Sequence, residues 1–472
     1  MHRREFLTAS AAVVGGTLLT AEEAGSSSGE TLYNGIRLPS IWPPKITEIP
    51  RDPVTPSYLK SPPAVIPIDL GRQLLVDDFL VEKTTLRRTF HAPKEHPGNP
   101  LVRPDKIWEK KGRGPSAMVF SDGVWYDPKD LLFKMWYLGG YGTGTCHAVS
   151  KDGIKWQKPE RDAKKATNIV QSDPRDSATV WLDLEDRDPR RRYKLFRSHG
   201  EDGRFGLSVY FSADGIHWGK RVLRTGSCGD RTTVFWNPFR KVWVYSLRHG
   251  WGRPRRRRYW EVKDILKGPQ WTRIDEPPMW CGSDRLDPQR QDLRTVCELY
   301  NLDCVAYESL LLGLFSIWRG DKNIPAGRPK PNEVCVGFSR DGFHWHRPER
   351  KPFLAVSETK GDWNWGNVQS AGGCCLVVGD ELWFYHSGRA GSPGRGETRD
   401  TGGSTGLATL RRDGFASLDA GPDGGTLATR PVRFGGKYLF VNADTAAGEL
   451  TAEVLDEQGK VVAGLARLEV PR

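Results

Sequence analysis

The chain has 472 residues, a formal net charge of +12, 52 glycines, 33 prolines and 18 tryptophans. Long helical periodicity is scarce, so a mainly helical fold is excluded, and the composition favours many short strands joined by tight turns in one large domain plus a small one. The positive charge alone does not indicate nucleic-acid binding, because no zinc-finger or helix-turn-helix pattern accompanies it.

The N-terminus has the pattern of an export signal. Arg3 and Arg4 precede a mildly apolar stretch of Ala, Val, Gly and Leu that ends near Ala21. This pattern predicts a twin-arginine signal peptide over residues 1–24, and the alternative is a basic tail without function. No later run of about 18 apolar residues follows, so no membrane insertion is expected. We expect a periplasmic or extracellular protein that meets no nucleic acid.

A stiff lead-in follows the signal. Residues 25–65 are rich in Ser and Gly and then in Pro, which predicts an extended segment. Residues 74–78, Leu-Leu-Val-Asp-Asp, are predicted to form a strand.

Internal repeats indicate the fold. A marker of the form Ser-x-Asp-Gly-x-x-Trp occurs at Ser150–Trp156, Ser212–Trp218 and Ser339–Trp345, with a degraded copy at Arg411–Phe415. Asp-Gly is typical of tight turns, since Gly accepts positive φ and Asp caps its own turn. The second gap is twice the first, and Tyr259–Asp264 followed by Trp271 supplies the missing copy. The chain therefore contains five units.

Each unit contains further strand-like runs before its marker. The second run of each unit is rich in aromatic residues, at 132–137, 193–196, 242–245, 312–315 and 382–385. Four antiparallel strands per unit describe a propeller blade. We predict an all-β protein with a five-bladed β-propeller over residues 66–415, its last blade completed by residues 74–78, and a small C-terminal β-sandwich appendage over residues 416–472.

The eight cysteines are scattered and lack zinc-ligand spacing, so we expect small buried side chains rather than disulfides or a metal site. No cofactor is expected, and the sequence leaves open whether a single ion binds in the central channel. The basic run at residues 253–258 is predicted to be a solvated edge or a site.

The repeats resemble the five-bladed glycoside hydrolases of families 32 and 43, and more closely the secreted planctomycete-type proteins described as family 32-like. The resemblance covers residues 66–465 and is carried by the matching stretches at 75–78, 133–137, 307–309, 339–342, 406–415 and 439–442. It implies activity on carbohydrate. The family 32 nucleophile motif is missing, because Arg113-Gly-Pro115 stands there without a carboxylate.

Glycoside cleavage needs two carboxylates across the scissile bond. In a propeller they lie at the mouth of the central funnel, where the innermost strand of each blade begins. Aligning those strands by their exit turns predicts four catalytic candidates, Glu109, Asp176, Asp230 and Asp303. For each, the alternative is a structural cap or turn former. Glu308, in a Tyr-Glu-Ser motif, is predicted to lie at an exit turn instead.

Basic residues recur where the second strands return to the mouth. These predicted substrate-binding residues are Arg197, His199, Arg248, His249, Arg319 and Arg389. Guanidinium groups bind carboxylate or sulfate through paired donors, while the alternative is ion pairing between blades. Trp108 and Trp365 are predicted to stack on sugar, as are Tyr141, Trp251 and Trp363.

Taken together, these features predict a glycoside hydrolase acting on a plant or algal saccharide that is neutral or anionic. Two alternatives remain open: a noncatalytic propeller that binds polysaccharide, and a phosphorylase that holds phosphate on arginines. The oligomeric state, the linkage and the stereochemical outcome are not determined by the sequence.

Overall fold

The computed structural model describes residues 29–161, 166–248, 254–269, 271–290, 296–319, 331–370, 372–373, 375–391, 402–445 and 448–462. The predicted signal peptide, His249, Trp251 and Cys374 lie outside these ranges, so export stays a prediction. Within them, no helix is long and apolar enough to cross a membrane.

The N-terminal segment before the first blade contains a short helix and four short strands, the last of which joins the fifth blade. They are α1 (Ser57–Lys60), β1 (Ile66–Pro67), β2 (Val81–Thr84), β3 (Arg87–Phe90) and β4 (Lys94–Glu95), followed by a 3-10 helix at Ile107–Lys110.

Five antiparallel sheets then follow in chain order and form the five-bladed β-propeller. The first blade contains β5 (Ala117–Met118), β6 (Val124–Asp127), β7 (Leu132–Gly139), β8 (Thr145–Ser150) and β9 (Ile169–Gln171). The second contains β10 (Ala178–Leu182), β11 (Tyr193–Glu201), β12 (Arg204–Ser212) and β13 (Leu223–Arg224), with a 3-10 helix at Pro189–Arg191.

The remaining blades repeat the pattern. The third contains β14 (Thr233–Asn237), β15 (Val242–Arg248), β16 (Arg257–Val262) and β17 (Met279–Cys281). The fourth contains β18 (Glu298–Tyr307), β19 (Leu310–Trp318) and β20 (Asn332–Ser339), and the fifth contains β21 (Asn367–Ser370), β22 (Leu376–Val378), β23 (Glu381–Arg389) and β24 (Gly403–Arg411). In the first and fifth blades the innermost strand is divided in two, since β5 and β6 both pair with β7, and β21 and β22 both pair with β23. The predicted aromatic runs therefore lie in the second strand of each blade, which is β7, β11, β15, β19 or β23.

The repeated marker directly follows the third strand of its blade, as predicted. In the first copy, Ser150 Oγ accepts the Gly153 N–H at 2.8 Å, and Asp152 Oδ1 accepts the N–H groups of Ile154 and Lys155 at 2.9 and 2.8 Å. Gly153 has a φ of 73°, which explains why glycine occupies this position. The turns lie on the face opposite the mouth.

The last blade is closed by a different segment from the one predicted. β4 pairs with β24, through Glu95 with Ala408 and Lys94 with Thr409, and so supplies the outer strand of the fifth blade. Residues 74–78 form no strand. Asp77 is instead buried in an ion pair with Arg340 of the third marker copy, which ties the N-terminal segment to the fourth blade.

The C-terminal residues pair with this same N-terminal segment. β25 (Ala416–Asp419) pairs with β3, β26 (Leu427–Thr429) with β2, and β27 (Val432–Arg433) with β1. In the described ranges the predicted appendage therefore contributes three two-stranded sheets shared with the other end of the chain. The predicted domain boundaries stay predictions.

Buried aromatic and aliphatic side chains fill the spaces between blades. Trp136 is fully buried, and its indole nitrogen donates to the Gly215 carbonyl of the second marker copy at 2.7 Å. Trp243 is also buried in the core. The seven described cysteines are free thiols, and five of them are buried.

His147 on β8 gives the fold a pH dependence. Its ring is fully buried beside Trp136, and burial lowers its pKa from 6.5 to about 3. The unfolded chain takes up this proton near pH 6.5 and the folded chain does not, so stability falls as the pH drops from 6.5 towards 3. We expect about 1.4 kcal/mol less stability per pH unit from this group. Urea unfolding of His147→Gln should show a correspondingly weaker acid sensitivity.

The matched control for this prediction is His91→Gln, because His91 is exposed and its ring shares a hydrogen bond with the neutral Ser417 hydroxyl. Its acid sensitivity should equal that of the unmodified protein within error. Parallel pH dependences for the unmodified protein and His147→Gln would contradict the assignment to His147.

Candidate functional site

The innermost strands begin at one end of the propeller, and two of the predicted acids lie together there. Asp176 stands two residues before β10 in the second blade, and Asp230 stands three residues before β14 in the third. Each acid influences the other, since the Asp230 charge is one of the causes that raise the Asp176 pKa. The structure thus brings Asp176 and Asp230 into one site at the mouth.

Backbone hydrogen bonds fix the positions of these two acids. The Asp176 N–H donates to the Ser198 carbonyl at 3.0 Å. The hydroxyls of Ser177 and Ser198 both donate to the Asp230 carbonyl at 2.8 Å. Two serines of the second blade therefore hold the third blade at the residue that carries the second acid, which preorganises the pair.

The Asp230 side chain accepts hydrogen bonds from a guanidinium and from a backbone N–H. Its Oδ1 accepts hydrogen bonds from the Arg248 guanidinium and from the Arg231 N–H, the latter at 2.9 Å. Arg248 ends β15 and lies across Gly229, where a Cβ would stand 2.7 Å from its Cδ. Glycine at this position therefore allows the arginine to reach the acid.

Asp176 has a different environment. Burial raises its pKa, and the neighbouring Asp230 charge raises it further, although Arg231, Arg113 and Arg175 oppose the shift. Its nearest cation is Arg113, with Nη2 3.9 Å from Oδ2. Such a distance is too long for a hydrogen bond. The pKa of Asp176 is therefore raised above its ordinary value by burial and by the Asp230 charge, whereas Asp230 accepts hydrogen bonds from two N–H donors.

Tyr300 borders both acids, and the sequence analysis missed it. Burial together with the charges of Asp230 and Asp176 raises its pKa to about 12. The pairing of β18 with β19 shifts register between Leu299 and Asn301, which places Tyr300 at an irregularity in the strand. Strand alternation alone would not reveal this position; the only sequence signal is the aromatic residue beside Asn301 at a strand start.

Asp303 lies deeper, in the central channel. It is buried, and its Oδ2 accepts from Asn301 Nδ2 at 2.9 Å and from Ser121 Oγ at 3.2 Å. The buried Arg231 also donates to Ser121 Oγ, at 3.0 Å, and stacks on Phe120 at 3.7 Å. Asp303 thus belongs to a polar cluster below the mouth rather than to the Asp176–Asp230 site.

Glu109 and Trp108 lie in the 3-10 helix before the first blade. The Glu109 side chain is fully buried; Oε1 accepts from the Tyr137 hydroxyl at 2.6 Å, and Oε2 accepts from Lys158 Nζ at 2.8 Å. Trp108 is half-buried and donates to Asn168 Oδ1 at 2.8 Å. These contacts anchor the loop that leads into β5, and they do not bring Glu109 to the acid pair.

The predicted basic residues divide into two groups. Besides Arg248, Arg197 contacts Asp173 at 3.3 Å and Arg319 contacts Glu333 at 2.7 Å, so these guanidiniums are ion-paired. His199 lies on β11, and its Nε2 shares a 2.7 Å hydrogen bond with Ser208 Oγ on the neighbouring strand β12.

Arg389 differs from these arginines. Its guanidinium lies 5.7 Å from the centre of the Tyr141 ring, and Arg113 lies 4.5 Å from the same centre. Trp365, which follows Asn364 in the chain, is buried near Arg389.

The end of the basic run, Arg257 and Arg258, enters the protein rather than facing solvent. Arg257 begins β16 and is fully buried, with its Nη1 donating to the Arg231 carbonyl at 2.6 Å. Arg258 is buried as well. The expectation of a solvated edge was wrong for these two residues, because the run continues into a central strand of the third blade.

No group of three or more His, Cys, Asp or Glu side chains in the described ranges is arranged to hold a metal ion.

No protein-family model matches the sequence, and no curated protein matches it. Among solved structures, the chain is similar to an N-acetylgalactosamine deacetylase from F. plautii in complex with blood group B trisaccharide, with 14% identity, 68% of this chain and 95% of that chain covered, and a TM-score of 0.46. A structure from the GH130 family of mannoside phosphorylases, which contains glycoside hydrolases that target β-1,2 mannosidic linkages in Candida mannan, has 13% identity, coverages of 70% and 97%, and a TM-score of 0.46.

A thermostable family-43 glycoside hydrolase has 12% identity, coverages of 65% and 92%, and a TM-score of 0.42. The five-bladed architecture itself follows from the strand pairing of this chain. The family 32-like assignment stays a prediction, since no family model supports it.

Proposed function

We propose that this chain is an exported glycoside hydrolase that cleaves a plant or algal saccharide with Asp176 as the proton donor and Asp230 as the base or nucleophile. The observation that carries the proposal is the contrast between these two neighbouring acids. Burial and the Asp230 charge raise the pKa of Asp176, whereas Asp230 accepts hydrogen bonds from Arg248 and from the Arg231 N–H.

Glycoside cleavage requires this division of roles. One carboxylic acid protonates the leaving oxygen while a carboxylate on the other side of the bond activates water or attacks the sugar. Of these two neighbouring acids, Asp176 has the raised pKa that suits a proton donor, and Asp230 accepts hydrogen bonds from a guanidinium and a backbone N–H, as suits a base or nucleophile. Tyr300 supplies aromatic surface beside the pair, which the apolar face of a sugar ring can contact.

The other predicted acids support the site without taking part in the proton transfers. Glu109 anchors the loop before the first blade through Lys158 and Tyr137. Asp303 holds Asn301 and Ser121 in the channel below the mouth. No cofactor takes part in the proposed reaction, and export by the twin-arginine route belongs to the same proposal.

The proposal is tested by incubating the purified protein with a panel of neutral, uronate-containing and sulfated polysaccharides, with and without phosphate. Release of reducing ends that does not depend on phosphate is the expected result. Turnover only with phosphate would identify a phosphorylase. Binding without any turnover would overturn the enzymatic proposal in favour of a noncatalytic binding protein.

A further inference from the structure

Two arginines from neighbouring blades lie on one tyrosine at the mouth. Arg113 precedes β5 in the first blade, and Arg389 ends β23 in the fifth. Their guanidinium carbons lie 4.5 and 5.7 Å from the centre of the Tyr141 ring. Each guanidinium carbon lies within cation–π distance of the ring centre, so one tyrosine at the mouth contacts two cations.

Neither arginine has a close acidic partner in the described part of the chain. The nearest carboxylate oxygen to Arg113 is Asp176 Oδ2 at 3.9 Å, and the Arg113 side chain is 61% exposed. Arg389 makes no ion pair with a described residue, and its Nε has no hydrogen-bond partner although the residue is 95% buried. By contrast, Arg197, Arg248 and Arg319 are each paired with a carboxylate.

Two cations on one ring, of which only Arg113 has a described carboxylate oxygen within 4 Å, raise the local positive potential. A buried guanidinium without a counter-ion is costly, because it loses hydration and gains no opposite charge in return. An anion bound between the two groups would remove this cost and would receive paired N–H donors. The net charge of +12 adds a long-range attraction for anions.

The location connects this anion site to the acid pair. Arg113 is the closest cation to Asp176, and Tyr141 and Asp230 both act on the neighbouring Tyr300. A saccharide whose glycosidic oxygen lies at Asp176 therefore has one sugar unit beside Arg113.

We propose that Arg113, Arg389 and Tyr141 form an anion clamp that binds the carboxylate or sulfate group of an anionic sugar next to the cleaved bond. This inference rests on the proposed hydrolase function and specifies its substrate class. The shared chemistry is a planar or tetrahedral oxyanion on the sugar, and the source is either a uronate or a sulfate ester.

The test measures the binding of three oligosaccharides of one length, uronate-containing, sulfated and neutral, to the full chain at low and high salt. The unmodified protein should prefer one anionic form, and the preference should fall as salt rises. Arg113→Gln and Arg389→Gln should each weaken anion binding about 10- to 100-fold and leave neutral binding unchanged. Arg113→Lys keeps the charge but loses the paired donors, so its anion affinity should lie between those of Arg113→Gln and the unmodified protein.

Arg37→Gln is the matched control, since Arg37 is an exposed arginine of the N-terminal segment. It should bind all three oligosaccharides as the unmodified protein does. The Arg113 side chain is largely exposed, so Arg113→Gln should fold normally and its loss of anion binding would not reflect misfolding.

The two proposals fail in different ways. Equal affinity for all three sugars, or unchanged anion binding in Arg113→Gln, would overturn the clamp even if neutral glycosides are cleaved. Clamp-dependent anion binding without cleavage of any glycoside would retain the clamp and overturn the hydrolase.

Discussion

Asp176→Asn is expected to lower kcat on a natural glycoside about 10²- to 10⁴-fold, the usual contribution of a general acid. The expected loss is much smaller on an aryl glycoside with a dinitrophenolate leaving group, because this group departs without protonation. Asp230→Asn should lose activity on both substrates, since the attack on the sugar needs its carboxylate whatever the leaving group. The measurement is kcat for both variants on both substrates.

The control for this prediction is Asp173→Asn. Asp173 is an exposed neighbour of Asp176 in sequence and contacts Arg197 rather than the acid pair. Its kcat should stay within a few-fold of the unmodified enzyme on both substrates. An Asp176→Asn variant that is equally impaired on both substrates would contradict its role as proton donor.

Asp77→Ala is expected to destabilise the fold by about 3–5 kcal/mol, the cost of leaving a buried charge unpaired. Asp77 and Arg340 are both buried, and Arg340 Nε donates to the two carboxylate oxygens at 3.1 and 2.9 Å. Removing the carboxylate leaves the Arg340 guanidinium without its counter-ion where the N-terminal segment meets the fourth blade. The free energy of unfolding in urea measures this loss.

The adjacent acid provides the matched control. Asp78 contacts Arg88 at 2.5 Å, but its side chain is 64% exposed, so Asp78→Ala should cost about 0–1 kcal/mol. Equal losses for the two variants would show that the buried pair does not anchor the N-terminal segment.

The repeats allowed the blades to be predicted because each marker turn is local. Ser150, Asp152 and Gly153 hydrogen-bond within a few residues, so the pattern appears directly in the sequence. The closing strand could not be predicted in the same way. Lys94–Glu95 is only two residues long and its pairing with β24 lies far along the chain.

The alignment of strand starts predicted the positions of Asp176 and Asp230, but it could not predict which side chains contact each candidate acid. Asp176 and Asp230 lie where the alignment of strand starts placed them. Glu109 fits the same phase, yet it is buried against Lys158, which comes from the segment after the first marker. Arg197 and Arg319 likewise share a phase with Arg389, and only their partners Asp173 and Glu333 distinguish them.

The most direct test of the central claim compares the unmodified enzyme with the Asp176→Asn/Asp230→Asn double variant on the first polysaccharide that the panel identifies. Bond cleavage and substrate affinity are measured on the same protein samples. The account predicts that cleavage falls at least about 10³-fold while affinity stays within a few-fold, because the pair acts on the reacting bond more than on binding. Cleavage by the double variant at the unmodified rate would contradict it.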